Sequence, residues 1–315
     1  VKIVLNAPVP PEQVERIRLL AAGAEVVVVT DDKELEIHLP DTEVLVSYGF
    51  KLNRKIIEKA GQLRWVHALS TGVDAFLRLG LQERGIILTN SRGVHANQMT
   101  EHIFAFMLSF VRLFPRFVLQ QRESNWKRWD IDTLAGKTLG IAGLGSIGQE
   151  LARRAKAFNM TVIGTKKNPT PVDCVDEVLS SEELHRMLPR VDFLVIIVPS
   201  TKETHHLIGR EELSLLKSSA YLINMARGDV VDQEALIEAL KEKKIAGAGL
   251  DVTTPEPLPP DAELWTLDNV LITPHMGGGA PDYLKITTDI FCLNLSDYIK
   301  GDVPSLNLVD QNRGY

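Results

Sequence analysis

Short runs of aliphatic and β-branched residues recur along the chain with little polar interruption. "KIVLN" (2–6), "AEVVVV" (24–29), "EVLVS" (43–47), "LRWVHA" (63–68) and "GIILTN" (85–90) form a first series. Strands this uniformly apolar are expected where both faces of a parallel sheet are covered. Between them, "PEQVERIRLLAA" (11–22) and "NRKIIEKA" (53–60) repeat apolar positions at helical spacing. A second series follows: "KTLGIAG" (137–143), "TVIGT" (161–165), "VDFLVIIV" (191–198), "SAYLINM" (219–225), "IAGAGLDV" (245–252) and "NVLITP" (269–274), with a helix from about Ile147 to Phe158. The alternation predicts an α/β fold of parallel sheets covered by helices.

Two longer apolar stretches set the organisation. "NQMTEHIFAFMLSFVRLF" (97–114) predicts one helix that packs between domains or against a second subunit, and so suggests a homodimer. "DYLKITTDIFCLNLSDYIK" (282–300) predicts one helix that can return to the first domain and make it discontinuous. The expected division is residues 1–95 with 282–315, and residues 96–281. "PEPLPP" (255–260) reads as a rigid loop, because apolar strands resume soon after it.

Composition narrows the classes. A chain of 315 residues suggests about two domains. Its net charge of -6 supplies no global basic field for nucleic acid or anionic lipid. No run of about 18 apolar residues suggests a membrane span, and "VKIVLNAP" at the start reads as a strand, so a cytoplasmic protein is expected. Cys174 and Cys292 lack metal-ligand spacing and are expected as reduced thiols. His205 and His206 are adjacent, and neighbours do not point at one centre. No metal is expected.

Candidate chemistry begins at "GLGSIG" (143–148), which follows a strand and opens a helix, the setting a dinucleotide turn requires. Gly143 can make the tight turn, Gly145 lets backbone approach a pyrophosphate, and Gly148 lets the helix lie close to the sheet. Ser146 and Ile147 stand at the helix N-terminus, whose N–H groups and dipole favour an anion. About 20 residues on, such folds usually place a carboxylate for the ribose 2′-hydroxyl. Here the strand ends in Thr165, Lys166 and Lys167. A carboxylate repels a 2′-phosphate and a cation attracts one, so NADP(H) is the expected cofactor, with NAD(H) possible. Pro199, Thr204 and Ala226 complete the expected cofactor-binding set. Asn159 ends the helix where a left-handed residue is needed, which Asn tolerates.

Three more segments place polar groups just after strands: "INMARGDVVDQEALIEAL" (223–240), "GAGLDVTTPEPLP" (247–259) and "ITPHMGG" (272–278). With "GLGSIG" and "LRWVHALSTGVD" (63–74), they closely resemble the D-isomer-specific 2-hydroxyacid dehydrogenase family, which includes glyoxylate and hydroxypyruvate reductases. The resemblance extends over most of the chain. It implies two Rossmann-like or flavodoxin-like domains, the first binding substrate and the second the dinucleotide, with the active site in the cleft between them and domain closure before transfer. It also implies a homodimer and a small-molecule 2-oxoacid or 2-hydroxyacid substrate.

The resemblance assigns roles. Arg227 would anchor the 2-oxoacid carboxylate, for which a planar, always-charged fork is suited. His275 would donate the proton in reduction and accept it in oxidation. Glu256 would orient that ring and favour its protonated form. Asp251 would lie near the nicotinamide carboxamide. Gly72 and Val73 would offer N–H groups to the substrate carboxylate, Ser70 and Asp74 would shape that loop, and Asp74 would alternatively cap the following helix. Tyr48 would line the pocket. Glu256 separates this chain from the similar formate dehydrogenases, which use Gln beside the His. The sequence departs from the usual pattern in "DVTTPEP", which lacks an aromatic two residues after Asp251, and in Met276 and Gly277 to Gly279. The size of the accepted 2-oxoacid is therefore left open. Alternatives on the same fold are a nucleotide-sensing regulator like the family's corepressor members, and phosphite oxidation.

Overall fold

The strands of both sheets pair in parallel throughout the structure, a computed structural model that describes residues 1–312. The chain divides into two units, Val1–Val94 with the segment from Ala280 on, and His95–Gly279.

The first unit runs β1 (Lys2–Asn6), α1 (Pro11–Leu20), β2 (Glu25–Val28), α2 (Asp32–His38), β3 (Val44–Ser47), α3 (Arg54–Glu58), β4 (Trp65–Ala68), α4 (Asp74–Leu77) and β5 (Ile87–Asn90). Its sheet order is β2-β1-β3-β4-β5. Alternate strand residues feed opposite cores. Ile3, Leu5, Val44, Val46 and Trp65 pack on one face, and Val4, Leu45 and Val66 on the other. Helix starts follow local chemistry: Asp31 accepts from Glu34 N at 2.9 Å, and Asn53 accepts from Ile56 N at 3.0 Å.

The second unit runs α5 (Ala96–Val111), α6 (Phe114–Arg122), β6 (Thr138–Ala142), α7 (Ser146–Ala157), β7 (Thr161–Lys166), β8 (Glu177–Ser180), α8 (Leu184–Met187), β9 (Phe193–Ile196), α9 (Arg210–Leu215), β10 (Tyr221–Asn224), α10 (Gln233–Lys241), β11 (Gly247–Leu250) and β12 (Val270–Ile272). Its sheet order is β12-β11-β10-β9-β6-β7-β8, reversing direction between β6 and β9. Such a reversal opens a crevice beyond the strand C-termini, where open α/β sheets take ligands. Asn159 is left-handed at φ 56°, after α7. The last helix, α11 (Tyr283–Ile299), belongs to the first unit and packs on α1.

Two expectations change. The apolar stretch from Asn97 does not form one helix to Phe114. Leu113 is left-handed at φ 54°, and the axes of α5 and α6 bend by 66°. Pro115 is the cause: it lacks an N–H, and its ring would strike the carbonyl four residues earlier. Nor is the buried face of α5 reserved for another domain or subunit. Ile103, Phe106, Met107 and Phe110 share a core with Leu139, Ile141, Phe193 and Ile223 of the unit's own sheet. Phe106 lies so close to Gly249 that a Cβ there would stand 2.8 Å from the ring. Among the described residues, no single helix is long and apolar enough to cross a membrane.

The first unit depends on its distant C-terminal helix through Trp65. This indole is fully buried, donates to Thr89 Oγ1 at 2.9 Å, and stacks on Phe291 of α11 with ring centroids 5.0 Å apart. Trp65→Ala should therefore cost on the order of 3–5 kcal/mol. The check is urea unfolding of the full chain, following the transition that reports this unit. A midpoint unchanged from wild type would show that α11 is not held through this contact.

Candidate active site

The glycine turn is built for close approach. Gly143 has φ 109°, and a Cβ on it would stand 2.6 Å from the Ile197 carbonyl oxygen. A Cβ on Gly148 would stand 2.3 Å from the Gly143 carbonyl oxygen, so only glycine lets α7 start this near β6. Gly145, at the cap of α7, has open space where a Cβ would be. Gly145 and Ser146 are exposed and Ile147 half-buried, so the start of α7 is accessible. These features fit the pyrophosphate of a dinucleotide.

Thr165 is buried, and its carbonyl accepts from Leu144 N at 3.0 Å, tying the end of β7 to the turn. Lys166 is half-buried and its Nζ donates to Thr170 Oγ1 at 3.3 Å; Lys167 is exposed. Thr204 Oγ1 donates to the Pro199 carbonyl at 2.6 Å and accepts from Thr201 N at 2.8 Å, closing the loop after β9. Glu203 in that loop is held below the usual carboxylate range, first by the Thr201 hydroxyl and its own backbone N–H, and further by Lys167 and Lys202. Lys167 is thus within electrostatic reach of the loop that carries Pro199 and Thr204.

Beyond β10, Asn224 Oδ1 accepts from Ala226 N at 3.0 Å and Asn224 Nδ2 donates to the Arg227 carbonyl at 2.9 Å. This clasp turns the chain and presents the half-buried Arg227 side chain, whose Nη1 donates to the Ala226 carbonyl at 2.8 Å.

Beyond β11 and β12, Asp251 organises the next loop. Its Oδ1 accepts from Thr273 Oγ1 at 2.6 Å and Met276 N at 2.8 Å, and its Oδ2 accepts from Gly277 N at 2.8 Å. His275 N donates to the Asp251 carbonyl at 2.9 Å. Together these hold His275 at φ 54°, a left-handed conformation that costs a non-glycine residue on the order of 1–2 kcal/mol. His275 Nδ1 lies 2.8 Å from Glu256 Oε2. The ionised carboxylate can only accept, so Nδ1 carries a proton toward it, and Nε2 lies outside this contact. Glu256 Oε1 in turn accepts from Thr253 N at 3.1 Å. Burial alone would raise the Glu256 carboxyl. The His275 hydrogen bond and charge, the Thr253 N–H and the Arg227 cation outweigh it and hold the group below the ordinary range. Arg227 is thereby close enough to Glu256 to act on it.

The first unit holds the remaining residues. Ser70 Oγ donates to the Gly72 carbonyl at 2.7 Å, and Asn90 Nδ2 to the Thr71 carbonyl at 2.8 Å. Among the described residues, neither Gly72 nor Val73 N–H makes a backbone hydrogen bond. Asp74 is not the cap of α4: Val73 occupies that position and Asp74 is the first helical residue. Tyr48 follows β3, stacks between Phe50 and Tyr283, and lines a hollow of about 360 Å³ with Pro10, Glu12 and Pro281.

Three residues had no signal in the sequence. His102 on α5 places Nε2 2.9 Å from Thr273 Oγ1 and 3.6 Å from Asp251 Oδ1. Gln233 exchanges two hydrogen bonds with the Thr254 backbone, at 2.7 and 2.9 Å, bracing the loop of Glu256. His95 lies within the electrostatic reach of Arg227. Each is a lone polar residue whose partner is distant in sequence. His205 and His206 stack on one another with centroids 4.0 Å apart.

The sequence model of the D-isomer specific 2-hydroxyacid dehydrogenase, NAD binding domain, matches residues 104–277. The chain is 37% identical over 311 residues to D-3-phosphoglycerate dehydrogenase of Methanocaldococcus jannaschii, a match covering 96% of this chain and 58% of that protein. It is 38% identical over 277 residues to glyoxylate reductase of Pyrococcus furiosus, covering 84% of this chain and 81% of the relative. Among solved structures, it is similar to a D-isomer specific 2-hydroxyacid dehydrogenase from Xanthobacter autotrophicus Py2 in complex with NADPH and MES. That likeness has 30% identity and a TM-score of 0.84, over 100% of this chain and 99% of the other.

The depressed Glu256 carboxyl has a pH consequence. Its stabilisation is present above the unfolded-state value and is lost as pH falls through the lower folded-state value. Carboxyl-detected NMR should find Glu256 titrating below the ordinary range, and His275→Gln should move that titration upward. A titration unmoved by the substitution would mean that the His275 contact does not set it.

Proposed function

The chain belongs to the D-isomer-specific 2-hydroxyacid dehydrogenase family, and from that premise we propose that it reduces a small 2-oxoacid, of the glyoxylate or hydroxypyruvate class, to the D-2-hydroxyacid, with NADPH preferred. The observation that carries this reading is the 2.8 Å contact of His275 Nδ1 with Glu256, in electrostatic reach of Arg227. That set anchors a carboxylate and delivers a proton at one place.

The dinucleotide would be held by the turn from Gly143 to Gly148, by Thr165, Lys166 and Lys167, and by Pro199, Thr204 and Ala226; Asp251 is the proposed neighbour of its nicotinamide. When bound, it supplies the hydride for the carbonyl carbon. Arg227 binds the substrate carboxylate and stabilises negative charge developing on the carbonyl oxygen. In reduction the doubly protonated His275 ring gives that oxygen its Nε2 proton and is left neutral with its Nδ1 proton hydrogen-bonded to Glu256, which keeps the ring oriented. In the reverse direction Nε2 takes the proton from the hydroxyl. Gly72 and Val73 are proposed as N–H donors to a carboxylate, with Ser70 fixing their loop and Tyr48 lining a substrate-side surface. The name of the Pyrococcus relative and the NADPH held by the Xanthobacter structure support this reading.

We also propose a homodimer, through α6 and the segment after it rather than α5. Phe114, Leu119 and Trp126 are 61%, 57% and 93% exposed there, more apolar surface than one short segment usually leaves to water. Sedimentation at working concentration should find the dimer; monomer alone would end this part.

The function is tested by titrating the protein with NADPH and NADH, then measuring glyoxylate and hydroxypyruvate reduction with each. NADPH should bind at least tenfold more tightly, about 1.4 kcal/mol, and Lys166→Asp should remove that preference. His275→Gln should lower turnover by about 10²–10⁴-fold with nucleotide binding retained. No reduction of either acid by wild type would sink the proposed activity. Equal use of NADH would leave the lysines as a solvated strand end.

A further inference from the structure

Arg227 acts electrostatically on a histidine other than His275. His95 precedes α5 and occupies its cap position. Its ring lies against Gly278, where a Cβ would stand 2.7 Å from Cδ2 and 3.3 Å from Nε2. Gly278 is on the loop that Asp251 clamps, three residues after His275. His95 thus touches the His275 loop on one side and lies in the field of Arg227 on another. Burial, joined by the Arg227 cation, pushes the imidazole down to about 4. Near neutral pH it is therefore an uncharged ring with one N–H donor and one acceptor nitrogen.

We propose that His95 is a specificity-determining contact of the substrate site, one that hydrogen-bonds a hydroxyl on C3 of the 2-oxoacid and so selects hydroxypyruvate-like substrates over pyruvate-like ones. The inference rests on the 2-oxoacid reading and narrows it. A second carboxylate or a phosphate on C3 calls for a second cation, which a neutral imidazole does not provide. A hydroxyl both donates and accepts, so it suits this ring in either tautomer. A C3 methyl offers the ring nothing, and sites built around a substrate hydroxyl discriminate strongly against analogues that lack it. Of the run of glycines from Gly277 to Gly279, Gly278 is the one that fits the same account. A Cβ at 277 would meet Met225 Cε at 2.2 Å and Asp251 Oδ2 at 2.8 Å, and a Cβ at 278 would enter the space of the His95 ring.

The test measures kcat/KM for hydroxypyruvate, pyruvate and glyoxylate in wild type, His95→Leu, His95→Gln and Gly278→Ala, with melting curves confirming that each variant is folded. Wild type should prefer hydroxypyruvate to pyruvate by at least tenfold. His95→Leu should shrink that ratio at least tenfold, mainly through loss of hydroxypyruvate turnover, and His95→Gln should recover part of it. If His95→Leu does not fold, Gly278→Ala, which displaces the ring, should shrink the ratio in the same way. A wild type without the preference, or a folded His95→Leu (or, where that does not fold, Gly278→Ala) whose ratio falls by less than tenfold, overturns the proposal. Wild type that reduces none of the three acids with either nucleotide overturns the 2-oxoacid function itself; turnover with an unmoved ratio overturns only the role of His95.

Discussion

The buried carboxylate of Asp251 is the constraint on which the second unit's site depends. A carboxylate enclosed to 4% exposure must have its lone pairs met, and here they are met by one loop. Thr273 Oγ1, Met276 N and Gly277 N all donate to it. Removing the acid would release three donors at once, together with the left-handed turn that aims His275. The position of Asp251 is itself set by β11, whose register with β10 and β12 fixes where one strand ends beside its neighbours. Sheet pairing thus becomes side-chain placement through a single buried anion.

Arg227 links the charges around that loop. Its field favours the ionised form of Glu256 and disfavours the protonated form of His95. Burial does most to keep the His95 imidazole neutral and the His275 contact does most to keep Glu256 charged, and the one cation pushes each in the same direction. His275 is bonded to that carboxylate, and His95 lies against the Gly278 backbone instead. Two histidines near one arginine are given different chemistry by what each touches, as general principles of electrostatic tuning require.

The parts of this arrangement differ in how plainly the sequence announces them. Strands such as β1 and β9 are apolar at consecutive positions because alternate residues feed two cores, so they can be read from the chain directly. The glycine turn is legible because each glycine answers a local steric demand. β8 is not: all its residues but Leu179 are only partly buried at a sheet edge, and Glu177 and Ser180 dilute its pattern. The break before α6 is written in Pro115, but the apolar period running through it hides the bend. Arg227, Glu256 and His275 stand in recognisable motifs. His95, His102 and Gln233 do not, because what makes them notable is their distance to groups far along the chain. Such distances follow from strand order and helix packing, which no local window contains.

The discontinuity of the first unit has a consequence for the nascent chain. Trp65 of β4 is capped by Phe291 and accompanied by Leu295, both on α11. On a ribosome adding roughly 5–20 residues per second, β1 to β5 emerge well before that helix is made, and the whole of the second unit is synthesised in the interval. During those seconds one face of the first sheet, including a tryptophan, has α1 over it but lacks the part of its cover that α11 supplies. The first unit is thus born with an apolar surface whose cover is still to be made, and that surface stays open to wrong partners until α11 appears.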